Sequence, residues 1–229
     1  MSIVLYDLCG ADDRRFSPYC WRVKMALAHK GLPFETRPVP FRQIRDICDG
    51  AQTSVPVIED DGRIVRDSFD IAVYLETTYP ELPSLFGGAA GLGLSRFVDK
   101  WSVLEINATL VRMIVADIHG VLQPDDEPYF RETREKRFGA RLEEVQEGRE
   151  ERLETLRAKL EPARQTLARQ PYLSGITPLF ADFILFGTLQ WARIASPLQI
   201  LADDDPIRPW FEGCLDLYGG IGRSAAAAA

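Results

Sequence analysis

The apolar and polar positions of the chain change period along its length. Ile3-Val4-Leu5-Tyr6 reads as a short buried strand. A polar segment, "GADDRR", follows, and then a helix begins. Ser17 suits its N-cap and Pro18 its first position, where the missing N–H costs nothing. Cys20, Val23 and Leu27 recur at helical spacing and mark an inner face, which leaves Arg22, Lys24 and Lys30 expected in solvent. Gly31 supplies the stop. "PFETRPV" reads as a second strand, its proline suited to a sheet edge. Arg42 to Asp49 fits either a short helix or an irregular connection. Val55-Pro56-Val57-Ile58 and Arg63-Ile64-Val65 are β-rich runs, and Asp61-Gly62 between them signals a hairpin. Asp67-Ser68 opens a further helix, with Ser68 as its cap and Ile71, Tyr74 and Leu75 facing inward. The order β-α-β-(α)-β-β-α describes a small α/β layer.

The pattern then changes. "YPELPSLFGGAAGLG" is rich in Pro and Gly, carries neither period, and reads as a linker. Its glycines follow no strand and lack the spacing of a nucleotide loop. From Leu92 onward the periodicity is helical. Gly148 interrupts one charged stretch, and Pro162 and Pro178 mark kinks or starts. The mixed-sign run "EEVQEGREERLETLRAKLE" reads as a solvated face. The expected division is an α/β domain over 1–83, a linker over 84–91 and an all-helical domain over 92–224. The terminal alanines, 225–229, are set aside as not structural.

Bulk properties narrow the function classes. A chain of 229 residues, 46% of them hydrophobic, has enough apolar side chain for two compact cores. A formal net charge of −7 argues against a phosphate-tracking nucleic-acid partner. No secretory leader is expected, and the longest apolar-rich segment, residues 181–195, is broken by Gly187, Gln190 and Arg193, so no membrane span is expected either. Cys9, Cys20, Cys48 and Cys214 show no paired spacing, which fits a reducing compartment, and only His29 and His119 are available as imidazole ligands, so no metal site is expected. These features together point to a cytoplasmic protein.

Four places carry candidate chemistry. Ser17 is sufficient as a cap, yet a hydroxyl beside the free N–H groups of a helix N-terminus also favours an anion such as a thiolate. Cys20, three residues on, falls on the inner face, where a thiol is usually packing. Pro56 opens a strong β run and reads equally as an edge-strand proline or as a cis Val-Pro bond that turns Val55 toward an extended ligand. Asp67 and Ser68 offer a carboxylate for an ammonium group and helix-start donors for a carboxylate, which together suit an α-amino acid head. A thiol at Ser17, a peptide at Val55 and an amino-acid head at Asp67-Ser68 describe glutathione.

On Ser17-Pro18, Val55-Pro56 and Asp67-Ser68, followed by an all-helical remainder, the chain resembles the thioredoxin-fold glutathione transferases over essentially its whole length. "SPYCWRVKMALAHKG", "VPVIEDDGRIVRDSFDIAVYLETTYP", "LEEVQEGREERL" and "DDDPIRPWFEGCLDLYGGIGR" are more narrowly similar to the bacterial β-etherase type and the related fungal serine-containing transferases. The resemblance implies an N-terminal thioredoxin-like domain, an all-helical C-terminal domain and a homodimer. It makes Ser17 the thiolate-stabilising hydroxyl, Val55 and Pro56 the site of the cysteinyl unit, and Asp67 and Ser68 the γ-glutamyl site. Arg42, Gln43 and Gln52 are candidates for the glycine carboxylate. Tyr19, Trp101, Asn107, Met113 and His119 are candidates for the pocket of a hydrophobic or aromatic electrophile. Tyr6 is read as packing or support. If the likeness extends to chemistry, the bond broken is a β-aryl ether. One departure is local: Leu179 stands where a capping Ser, Thr or Asn precedes the buried Ala181-Asp182 pair, a loss of about 0.5–2 kcal/mol unless Asp182 serves the turn in another way. Two other readings stand beside this one: a glutathione thiol-disulfide oxidoreductase acting through Cys20, and a protein that binds glutathione or hydrophobic ligands without turnover.

Overall fold

The computed structural model describes residues 3–228. A four-stranded sheet has the order β2-β1-β3-β4. β1 (Ile3–Leu8) is central, parallel to β2 (Phe34–Val39) and antiparallel to β3 (Val57–Asp60), which pairs antiparallel with β4 (Arg63–Arg66). Pro38 lies in the edge strand β2, where a missing ladder donor is tolerated. Asp61 and Gly62 both take positive φ, 50° and 81°, the geometry of a tight two-residue hairpin. Residues 41–46, left open by the pattern, form a short 3₁₀ helix.

α1 (Pro18–His29) packs against α2 (Ser68–Thr78) and against α9 (Phe180–Ala195) of the second domain. Covered from both sides, it buries every residue but Tyr19 from Pro18 to Leu27. The expectation that Arg22, Lys24 and Lys30 are solvated is therefore wrong: a helix between a sheet and another helix has no wet stripe. Each buried cation is paired instead. Arg22 meets Asp99 at 2.7 Å, Lys24 meets Asp7 at 2.6 Å, and Lys30 donates to the carbonyls of Tyr79 and Pro83 at 3.0 and 3.1 Å.

The helical domain begins earlier than the pattern suggests. α3 (Ala89–Trp101) starts three residues before Leu92, inside the predicted linker, and runs through a π-helical segment, Ser102–Asn107, into α4 (Ala108–Gly120). α5 (Glu127–Phe138), α6 (Leu142–Gln146), α7 (Leu153–Lys159), α8 (Glu161–Leu167), α9 and α10 (Arg208–Gly220) complete it. The mixed-sign run is divided among α6, α7 and the start of α8. It is not solvated throughout: Val145, Leu156 and Leu160 are buried, while its charged residues are exposed or half-buried.

α9 is the spine of this domain, buried on all sides over nearly its whole length. Its first turn lacks a capping side chain, as Leu179 implied, and Asp182 supplies the acceptors. Its carboxylate accepts from the N–H groups of Leu179, Leu173 and Ser174 at 3.2, 2.7 and 3.2 Å and from the Trp210 indole at 3.0 Å. The alanine tail is also more than an appendage. Arg193 donates to the Ala225 carbonyl and the Ala228 N–H donates to the Arg193 carbonyl, both at 2.8 Å. Ala229 lies outside the described residues. Among the described residues no helix is long and apolar enough to cross a membrane, and no cluster of His, Cys, Asp and Glu has the makings of a metal site.

Candidate functional site

Two cavities meet beside the N-terminus of α1, and Tyr19, Ser54, Val55 and Val103 line both. The first, about 550 Å³, is polar and runs between the start of α2 and the middle of α3. The second, about 430 Å³, is largely apolar and lies between Ser17, the 3₁₀ turn at Phe41, the face of α4 and α5.

Ser17 lines the apolar cavity, two residues before Tyr19 in the shared wall. Its Oγ accepts from the Cys20 N–H at 3.2 Å, which makes it the N-cap of α1. Pro18 contributes no donor, so the Ser17 O–H and the Tyr19 N–H are the donors left at this helix start. Cys20 is fully buried, and burial raises its thiol far above the ordinary range, with the charge of Asp7 acting in the same direction. Cys20 lines neither cavity.

The Val55-Pro56 peptide bond is cis. Val55 precedes β3 and makes no backbone hydrogen bond to another described residue, so its N–H and C=O are open to a ligand strand. Asp67, not Ser68, caps α2: its Oδ1 accepts from the N–H groups of Phe69 and Asp70 at 2.8 and 3.2 Å. Asp67 does so at a positive φ of 64°. Ser68 is thereby the first helical residue, and it lines the polar cavity with Asp67 and Asp70. Facing them are Arg22, Arg96 and Lys100, so three basic side chains line this cavity with three acidic ones, Asp67, Asp70 and Asp99, the last of which holds Arg22. Arg22 spends one nitrogen on Asp99, while its Nε and Nη2 are buried without a partner among the described residues.

The apolar cavity owes its wall to the π segment. Val103, Asn107 and Val111 recur every four residues and face it, while Ile106, Leu110 and Met113 face the core. Asn107 is held from behind: Thr188 donates to its Oδ1 at 2.9 Å, Ser102 lies 3.0 Å from the same Thr188 hydroxyl, and the Asn107 Nδ2 is buried without a partner among the described residues. Across the cavity stand Trp191, Tyr129 and Phe130.

Of the residues singled out from sequence, Ser17, Tyr19, Val55, Pro56, Asp67, Ser68 and Asn107 line these cavities. The others stand elsewhere. Met113 is fully buried in the core, on the far side of α4 from Val111. Trp101 packs against the core two residues before the cavity-facing Val103. His119 sits behind Phe130, ring centroids 6.4 Å apart. Arg42 and Gln43 are exposed and outside both cavities, and the Arg42 N–H bonds Asp126 at 3.0 Å. Gln52 is buried and donates to Asp49 at 2.7 Å. Tyr6 hydrogen-bonds Glu59 outside both cavities, its hydroxyl pushed up to about 12 by burial. Sequence reasoning missed Arg22, Arg96, Lys100, Val103, Trp191 and the α5 group Phe130, Arg134 and Arg137. The last three recur at helical spacing, a signal hidden inside a segment rich in charge.

Residues 16–78 match the family profile described as "Glutathione S-transferase, N-terminal domain", and residues 93–214 match "Glutathione S-transferase, C-terminal domain". A curated relative, the glutathione S-transferase-like protein ustS of Aspergillus flavus, is 27% identical over 220 residues, covering 82% of this chain and 78% of its own. Among solved structures, glutathione transferase GSTFuA2 of Phanerochaete chrysosporium superposes with a TM-score of 0.78 at 27% identity, over 100% of both chains. The glutathione S-transferase CsGST63524 of Ceriporiopsis subvermispora, solved in complex with glutathione, gives 0.78 at 25% identity over 98% of this chain and 95% of its own. A thioredoxin-like sheet, a helical second domain and profile matches to both halves lead to one conclusion: the chain belongs to the glutathione S-transferase family.

Proposed function

We propose that the protein binds glutathione in the polar cavity and delivers its thiolate to an aromatic or hydrophobic electrophile in the apolar one. The observation that carries this is the shared wall: Tyr19, Ser54, Val55 and Val103 line both cavities, and Ser17, the N-cap of α1, lines the apolar one two residues before Tyr19. Asp67 would take the γ-glutamyl ammonium group, and the first turn of α2 at Ser68 its carboxylate. The backbone of Val55, ahead of Pro56, would pair with the cysteinyl unit. Arg42, Gln43 and Gln52 are not carried forward as partners of the glycine carboxylate, because none lines either cavity.

In the reaction, the Ser17 O–H donates to the sulfur and holds it as a thiolate. The thiolate forms a C–S bond as the carbon's bond to its leaving group breaks. If that group is a phenolate, the reaction is cleavage of a β-aryl ether, and the phenolate takes its proton from water. The likeness to the serine-containing fungal enzymes supports this finer reading. The gain comes from a lowered thiol pKa and from holding two reactants in one junction. A cytoplasmic site fits four unpaired thiols. A homodimer fits the apolar side chains of Phe97 and Leu104, which are 70% and 66% exposed along α3 and the π segment.

The test is thiolate absorbance of bound glutathione across pH, in the wild type and in Ser17→Ala. A free thiol ionises near ~8.5, so a clearly lower value that returns toward it in the variant is the expected result. An unshifted value, or one indifferent to Ser17, defeats the reading. Tight glutathione binding without conjugation of any electrophile in a broad panel favours a binding protein instead.

A further inference from the structure

The wall of the apolar cavity carries two guanidinium groups and no carboxylate. Arg134 and Arg137 of α5 are its only charged lining residues. In a chain of net charge −7 this is a local reversal of sign. Their neighbour on the same helix shows what an ordinary surface arginine does here: Arg131 pairs with Glu135 at 2.9 Å and Glu143 at 2.8 Å. Among the described residues neither Arg134 nor Arg137 forms a salt bridge. Arg134 is half-buried, with its guanidinium 4.6 Å from the Phe130 ring centroid and 5.2 Å from that of Phe41. Stacking on two rings fixes the plane and the direction of the cation while leaving its in-plane N–H donors unspent, apart from one on Thr133 at 2.8 Å. Arg137, one turn on, is exposed at the rim.

An uncompensated, half-desolvated cation is costly, and an anion in the cavity would offset the cost. The remaining lining is mostly aromatic and aliphatic, led by Phe16, Phe41, Tyr129, Phe130, Val111 and Trp191, with Ser17, Thr53, Ser54 and Asn107 as its uncharged polar members. We infer that the second substrate is an aromatic acid, its ring among these side chains and its carboxylate on Arg134 and Arg137. This rests on the transferase reading above and narrows its electrophile from any aromatic compound to an anionic one. A planar carboxylate suits a guanidinium fork, and the charge would sit at the α5 end of the cavity with the reacting carbon toward Ser17.

The test uses a matched pair, 4-(chloromethyl)benzoate and its methyl ester, which share one reacting carbon. Glutathione sulfur bonds to that carbon and chloride leaves with the C–Cl electrons. The wild type is expected to favour the acid, and the ratio of kcat/KM for acid over ester to fall by roughly tenfold in Arg137→Gln, the size of a lost charge-assisted hydrogen bond. A ratio near unity in the wild type overturns the inference. So does a variant in which the KM for glutathione rises while the ratio holds, since the arginines would then be serving a glutathione carboxylate. Binding is read separately, by quenching of tryptophan fluorescence with the inert pair 4-methylbenzoate and 4-methylbenzamide. Tighter binding of the benzoate, abolished in Arg137→Gln, supports the site even if neither chloride is turned over, in which case the transferase reading alone fails. Equal binding of benzoate and benzamide overturns the site whatever the turnover. Arg134→Lys, which keeps the charge but loses the stacked fork, is expected to lie between wild type and Arg137→Gln.

Discussion

Gly187 in α9 and Pro18 at the start of α1 stand so close that a β-carbon on residue 187 would lie 2.4 Å from the Pro18 carbonyl oxygen. The contact is backbone against backbone, so nothing flexible is available to give way. Gly187→Ala must therefore push the first turn of α1 away from α9, and Ser17 with it. We expect a stability loss of about 1–3 kcal/mol by urea unfolding, the usual cost of overpacking. We also expect a larger drop in kcat than in glutathione affinity, because the displaced group is the proposed thiolate donor. An alanine variant with wild-type kcat would show that α1 tolerates the shift.

Cys20 offers the opposite outcome. Its side chain is fully buried and its backbone N–H, not its sulfur, serves the Ser17 cap. Cys20→Ala is expected to keep conjugating activity and to lose about 1 kcal/mol of stability for the small cavity left behind. In the native protein Cys20 should resist alkylation at mildly alkaline pH, since burial raises its thiol. Mass spectrometry after iodoacetamide treatment checks this, with the exposed Cys48 as the internal positive control.

Glu76 links stability to pH. Burial pushes its carboxyl upward, but donors from the Leu85 N–H, the Ser84 hydroxyl and Lys30 outweigh that and leave it below the usual value. The unfolded chain therefore takes up a proton at higher pH than the native one. The stabilisation is present above the ordinary glutamate value, about 4.3, and is lost as pH falls through the lowered native value. Glu76→Gln should cost about 1–3 kcal/mol at neutral pH, and the gap to wild type should narrow in acid. Paired urea titrations at pH 7 and pH 3 measure it.

Asp182 bears four donors with one carboxylate at the head of α9. Asp182→Ala leaves those N–H groups buried and unpaired, and we expect a loss of roughly 3–5 kcal/mol, enough to prevent folding at 37 °C. Asp182→Asn retains one acceptor oxygen and should fall between. Thermal denaturation ranks the three proteins.

Much of this was legible in the residues. The sheet, the hairpin, the capped α1 and the change to helices follow from period, turn chemistry and proline placement. What failed has three physical causes: tertiary cover, a shifted helical phase and a backbone conformation. Arg22, Lys24 and Lys30 look wet because a sequence shows one helix at a time, whereas their partners come from elsewhere: Asp99 of α3, Asp7 of β1 and the Tyr79 and Pro83 carbonyls after α2. Val103 and Val111 were missed although they share a face with the candidate Asn107, because a π segment shifts the phase that 3.6-residue counting assumes, and Met113 lies on the opposite, core face. Ser68 yielded the cap to Asp67 because a positive φ is needed there, and Asp accepts it more readily than most residues.

The wall that Tyr19, Ser54, Val55 and Val103 form belongs to both cavities at once. Two ligands that press on one partition are linked thermodynamically. Whatever factor the first imposes on the affinity of the second, the second returns in full, so neither dissociation constant is a property of its own cavity alone.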